Sequence, residues 1–167
     1  AFHGVGDDPL ATPGNDDSGD LAYVRVEFAG NPIQPNQEVN SFTFGSVGSG
    51  TTIDYLQSSY GGDDSFEWFG GTVNAKHLVA YRDLDDNFDV DFGFSGKVQF
   101  GIGIRDNTLA DQSGSNGFEV DNDGTGSAAT PFTSGTFSNM TIIGPKKTFD
   151  MNIQDNFQNG MHLRRNN

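Results

Sequence analysis

The chain has 167 residues, with 23 acidic against 9 basic side chains, a formal charge of −14, 15 phenylalanines, 23 glycines and no cysteine. One domain of this size removes roughly 68–70 % of its unfolded surface from water; the charge repels nucleic acid and anionic lipid and favours cations, calcium above all. The missing thiols exclude disulfide frameworks and thiolate metal sites, and no apolar run approaches the ~20 residues of a bilayer-spanning helix.

Residues 1–20 hold two prolines and four glycines without a strand pattern, and read as an N-terminal lead or cap. From Leu21 onward, small or apolar residues alternate with polar ones at period two, the mark of strands with one buried side, while the i, i+4 spacing of helices is missing. The pattern repeats. The run from Tyr55 lies on the run from His77 at an offset of 22 residues, bringing Asp63-Asp64-Ser65-Phe66-Glu67 onto Asp85-Asp86-Asn87-Phe88-Asp89. Further copies at Asn40–Phe44 and Asn116–Val120 complete a column of Phe42, Phe66, Phe88 and Phe118. A second column runs through Val24, Leu56, Leu78 and Phe100, followed two residues on by Val26, Ser58, Ala80 and Ile102, with Met140 and Ile142 as its fifth member.

A 22-residue unit with two recognisable strands and Gly/Asp-rich corners predicts an all-β, right-handed parallel β-helix over residues 21–167, a solenoid of four to five coils. The step between columns is 10 residues in the middle coils and 18 in the outer ones, so Asn31–Glu38 and Asp106–Ser115 are expected as loops leaving one corner. Asn122–Gly135 leaves another. Met161–Arg165 reads as the opening of a further strand, so the last coil is expected to be incomplete and the chain a fragment of a longer helix, its C-terminal edge covered by missing coils or another chain.

Alternation in the D-D-S/N-F-E/D motif puts Phe66, Trp68, Phe88 and Val90 inside, and Glu67, Asp89 and Glu119 outside in register. Carboxylates stacked about 4.8 Å apart repel unless something neutralises them, and Ca²⁺, which takes oxygen ligands, is one answer. Asp63, Asp64, Glu67, Asp85, Asp86, Asp89 and Asp91 are the candidate ligands. Asp121-Asn122-Asp123-Gly124 resembles the opening of a calcium loop without its closing glutamate, which adds Asp121 and Asp123. Such residues also cap turns by bonding their own backbone, and that structural reading stands beside the calcium one.

Tyr23, Tyr55 and His77 form an outward column, a candidate platform for successive sugar units; the same column equally serves as a ladder that stabilises the sheet. Arg105, beside an acidic row, is the fourth glycan-binding candidate, since an acidic sugar needs such a cation. Trp68 shares its column with Phe44, Val90 and Val120 and belongs to the core. His3, His77 and His162 have no metal-ligand spacing. Gly101-Ile102-Gly103 lies inside a strand with no helix after it, and neither a G-x-S-x-G elbow nor a Ser/His/Asp order is present, so no residue is assigned a catalytic role.

Leu21–Gly30, Asp63–Gly71, Val73–Arg82, Gly93–Arg105, Ala110–Asp123 and Phe137–Pro145 together resemble a large family of secreted Bacteroidota surface proteins, often lipoproteins. The resemblance runs from about Ser18 to the C-terminus and implies a β-helix and an extracellular or outer-surface location. It implies little about activity.

Three functions fit. The first is a non-catalytic surface protein, a calcium-stiffened rod for adhesion or glycan binding. The second is a polysaccharide lyase or glycoside hydrolase of β-helix fold, an analogy from fold. The third is a structural segment of a larger surface protein.

Overall fold

The structure, a computed structural model, describes residues 16–34, 38–145 and 156–164. The lead expected over residues 1–20 therefore lies mostly outside the described residues. The strands are β1 (Asp20–Glu27), β2 (Phe42–Gly45), β3 (Thr52–Ser59), β4 (Phe66–Phe69), β5 (Asn74–Tyr81), β6 (Phe88–Asp91), β7 (Lys97–Ile104), β8 (Ser115–Asn116), β9 (Phe118–Val120), β10 (Thr136–Ile143), β11 (Phe157–Asn159) and β12 (His162–Leu163). Among the described residues there is no helix, and the paired strands run parallel.

One five-stranded sheet has the order β1-β3-β5-β7-β10 and another β12-β9-β6-β4-β2, while β8 and β11 pair between them. Each coil gives one long strand to the first sheet and one short strand to the second, so the fold is a parallel β-helix of five coils. The phenylalanine column is in register: Phe42 pairs with Phe66, Phe66 with Phe88, and Phe88 with Phe118. Their rings stack inside the solenoid with centroids 5.1, 5.7 and 5.2 Å apart. Trp68 is fully buried between Phe44 and Val90 in the neighbouring column.

Each long strand bends at its fourth residue. Tyr23, Tyr55, His77, Phe100 and Asn139 all have left-handed backbones, φ between 52° and 61°. The pairing register steps over them, so the first sheet folds into two walls. Phe28, Tyr60 and Arg82 form a second left-handed column, and Ser46, Gly70 and Phe92 a third. Three turning columns give each of the first three coils three sides. This conformation costs an ordinary L-residue roughly 1–2 kcal/mol. Stacking offsets it at the first column, where Tyr23–Tyr55, Tyr55–His77 and His77–Phe100 lie 4.7, 4.4 and 5.2 Å apart with nearly parallel planes.

The inward column differs from expectation at one coil. Leu78 pairs with Gly101, not Phe100, and Ala80 with Gly103, not Ile102. Phe100 points outward and extends the aromatic column. The reason is volume: a Cβ on Gly101 would stand 2.2 Å from Met140 Cε, and one on Gly103 2.8 Å from Ile142 Cδ1. The large side chains of β10 fill the space that the glycines leave.

The candidate acidic corner

The corner is built on the turn that precedes the short strands. Asn40, Asp64, Asp86 and Asn116 occupy the position two residues before the stacked phenylalanines, so successive coils present amide, carboxylate, carboxylate and amide there. The two carboxylates tie the coils together. Asp64 Oδ1 accepts the amide of Asp86 at 2.9 Å, and Asp86 Oδ1 accepts the amide of Asn116. The flanking amides turn to the next row, Asn40 Nδ2 donating to Glu67 and Asn116 Nδ2 to Glu119 at 3.1 Å.

Glu67, Asp89 and Glu119 stand in register on the outside of the second sheet, as alternation predicts. They are not freely solvated, for Glu67 is buried and the other two half-buried. Burial, reinforced by neighbouring carboxylates, pushes the carboxyls of this corner upward: Asp63 to about 6, Asp85 to about 7 and Glu67 to about 8. Asp86 rises to about 6 from burial, against the hydrogen bonds of Asn116. Asp64 and Asp89 lie well above the usual carboxylate range, from burial first, then from the charge of Asp89 on Asp64 and of Glu67 on Asp89.

Two carboxylate trios could hold a cation. Oxygens of Asp63, Asp64 and Asp85 lie within 4.8 Å of one another, as do those of Asp64, Glu67 and Asp89, so Asp64 belongs to both. One oxygen each of Asp85 and Asp89 is shut away from solvent with no hydrogen-bond partner. A set of hard oxygen donors, two of them buried and unsatisfied, fits calcium chemistry. Two loops flank the corner: an open cleft of about 640 Å³ is lined by Glu38, Gly62, Asp63, Asp85, Asp111, Gln112 and Ser113. Glu38 and Asp111–Ser113, from the two loops expected to leave one corner, line this cleft together.

Other candidates lie elsewhere. Asp121 pairs with Arg164 Nε at 3.1 Å, and Arg164 also reaches Glu119. Asp123 spends its oxygens inside its own loop, accepting from Thr125 N at 2.8 Å, Thr125 Oγ1 at 2.6 Å, and Ser127 N and Oγ. Those bonds hold its carboxyl well below the usual range. The 121–124 segment is thus separate from the two trios. Asp91, on the outside of β6 opposite Phe69, likewise belongs to neither.

The glycan candidates divide as well. Tyr23, Tyr55 and His77 are in one outward column, but their faces cover one another, leaving edges and the outer face of Tyr23, which is 80 % exposed. The geometry is that of a sheet-stabilising ladder, with a sugar platform only along its edge. Arg105 needs correction. It is 4 % exposed, and its guanidinium donates to the carbonyls of Leu84, at 2.9 Å, and Asp85. Its strand turns it into the corner, where it braces the backbone beneath the acidic row and is withdrawn from an external sugar.

Several contributors escaped sequence reasoning. Glu38, Asp111 and Ser113 sit in irregular loops with no repeat to align them, whereas the Asn40/Asn116 pattern was visible in the phenylalanine alignment. Asp83 is another. Fully buried, it accepts from the hydroxyls of Ser58 at 2.8 Å and Ser65 at 2.6 Å and from the amide of Gly61.

A parallel β-helix with a carboxylate-lined corner between two loops defines the class: a solenoid carrying its candidate site on the outside of the coils. The family model for the pectate-lyase like beta helix domain matches residues 11–167, and the chain belongs to that family. No curated protein and no solved structure matches it.

Proposed function

We propose that this chain is a non-catalytic, calcium-stabilised β-helix module of an extracellular or surface-attached protein, serving adhesion through carbohydrate binding. The observation that carries it is the pair of carboxylate trios joined at Asp64, with buried oxygens of Asp85 and Asp89 left unsatisfied. Ionised together without a cation, these groups repel in a place water barely reaches; a divalent ion supplies the missing charge and ligand demand. Extracellular calcium modules bind with Kd of about 10⁻⁴–10⁻³ M, and the resemblance to secreted Bacteroidota surface proteins supports that location. The polar cleft beside Asp63 and Asp85 offers room for a sugar.

Thermal unfolding with calcium and with chelator, beside a glycan array in both conditions, tests the reading. Ligand at a hundred times its Kd stabilises by about 2.7 kcal/mol. A calcium-dependent rise in Tm with selective glycan binding is expected; an unchanged Tm overturns the metal site, and an array without hits overturns the carbohydrate role.

A polysaccharide lyase or hydrolase is the second reading. Asp63 and Asp85, raised to about 6 and about 7, share the open cleft, and carboxyls near neutrality suit general acid–base work. Cleavage of a polysaccharide that Asp85→Asn abolishes while the fold persists would establish this reading over the first.

A further inference from the structure

The outward wall formed by the first half of the long strands carries a groove away from the acidic corner. Lys76 on β5 pairs with Gln99 on β7, which pairs with Ser138 on β10. Two residues earlier along the strands Lys97 pairs with Thr136, and its amide donates to Asn74 Oδ1 at 3.1 Å. These six side chains line an open groove of about 460 Å³.

The two lysines are unusual in this chain. Among the described residues every arginine meets an acceptor: Arg25 lies 3.4 Å from Glu27, Arg82 3.5 Å from Asp106 and Arg164 3.1 Å from Asp121, while Arg105 meets carbonyls. Among the described residues Lys76 and Lys97 meet no carboxylate. Asp54 is in register with Lys76, but its Oδ1 is taken by His77 Nδ1 at 2.7 Å and the Tyr55 amide at 3.0 Å. Two exposed lysines thus line one groove together with side chains that carry hydroxyls and amides.

We propose that this groove binds a tetrahedral oxyanion, a sulfate or phosphate ester, carried on a sugar chain. Ammonium groups act as point charges with several donors and suit an oxyanion with three free oxygens, whereas planar carboxylates favour the arginine fork, which the groove lacks. The hydroxyls of Thr136 and Ser138 complete the donor set. His77 and Phe100 follow Lys76 and Gln99 in their strands, so the aromatic column begins one residue beyond the groove. The net charge of −14 opposes polyanions at long range, so binding is short-ranged and weakens with salt. The inference rests on the carbohydrate reading above and adds the charge class and the residues that select it.

The test is calorimetric titration of the full chain with a neutral oligosaccharide, its sulfated and phosphorylated forms, and oligogalacturonate, with and without calcium. The sulfated or phosphorylated form is expected to bind, weakening about tenfold or more in Lys76→Gln/Lys97→Gln and unchanged in Arg25→Gln, which removes an exposed cation outside the groove. The two ester arms distinguish the source of the oxyanion. Equal binding by the lysine variant, or by the neutral sugar or oligogalacturonate, overturns the inference. Glycan binding that follows calcium and Asp64 but not the lysines sinks the groove while the carbohydrate reading stands. Binding of no glycan sinks both. Circular dichroism and Tm of the double variant confirm that the exposed substitutions leave the fold intact.

Discussion

Asp64 accepts the backbone amide of Asp86, its counterpart one coil further on, at 2.9 Å, while its carboxylate belongs to both carboxylate trios. One side chain thus has two separable roles: a hydrogen-bond acceptor that ties coils, and a charge that repels its neighbours when no cation is present. Asp64→Asn keeps the acceptor and removes the charge. In chelator this variant is expected to melt a few degrees above the native chain, since about 1 kcal/mol is worth roughly 2–4 °C at this size. In calcium the metal-dependent rise disappears. Scanning calorimetry under both conditions reads the two effects separately.

The raised carboxyls set a pH dependence. Asp63, Asp86, Asp85 and Glu67 hold protons up to about 6, 6, 7 and 8, whereas their unperturbed values are 3.8 for aspartate and 4.5 for glutamate. Between those limits the folded chain binds more protons than the unfolded one, so stability falls as pH rises. In chelator, Tm is expected to be highest near pH 4, to decline towards pH 8 and then to level. Calcium opposes the decline. A chelated chain more stable at pH 8 than at pH 5 would refute the burial of these groups.

Phe100 tests the register. Lying outside and stacked on His77, its truncation to alanine is expected to cost about 0.5–1.5 kcal/mol, the worth of an aromatic pair. Phe88, fully buried between Phe66 and Phe118, is expected to cost about 3–5 kcal/mol on the same change. Equal losses in urea unfolding would place Phe100 in the core.

Asp83→Ala removes the acceptor for two hydroxyls and an amide inside the solenoid. Each buried group left unsatisfied costs about 1–3 kcal/mol, so the variant is expected to unfold at least about 6 °C lower or fail to fold. Asp83→Asn, which retains an acceptor oxygen, is expected to lie between. Circular dichroism melts rank the three.

Two glycines should behave differently. A Cβ on Gly71, at φ 89°, would stand 2.6 Å from the Val47 carbonyl oxygen, and neither backbone can yield cheaply. Gly71→Ala is expected to cost about 2–4 kcal/mol, strain and clash together. On Gly101 the nearest atom is the terminal methyl of Met140, which can rotate aside, so Gly101→Ala is expected to cost less than about 1.5 kcal/mol. Denaturant midpoints for both variants check the order.

Much of this was legible in the chain because a solenoid repeats its register. The four aligned phenylalanines located the short strands, the burial of Trp68 and the outward acidic row without any three-dimensional information, since a parallel strand can pair with its copy only if the same residues face in. Alignment failed at β7, where Phe100 resembles the leucines of earlier coils but Gly101 takes their place. Hydrophobicity does not tell an aromatic ring stacked outside from one packed inside.

The candidate site was legible in part for the same reason. Asp63, Asp64, Glu67, Asp85 and Asp89, the members of the two trios, stand out in the chain because they repeat, as does Asp86, which belongs to neither trio, whereas Arg105 was misplaced because exposure depends on which way a turn carries the side chain. By itself the sequence determined the period, the facing of the strands other than β7 and the identity of the acidic row, all properties of spacing along one chain. Only the tertiary structure decided that the row is half-buried, that the Tyr23–His77 rings cover one another's faces, and that Lys76 and Lys97 meet no carboxylate among the described residues. Those properties depend on distances between residues from different coils and loops, and burial, stacking and charge pairing exist only once the coils are in place.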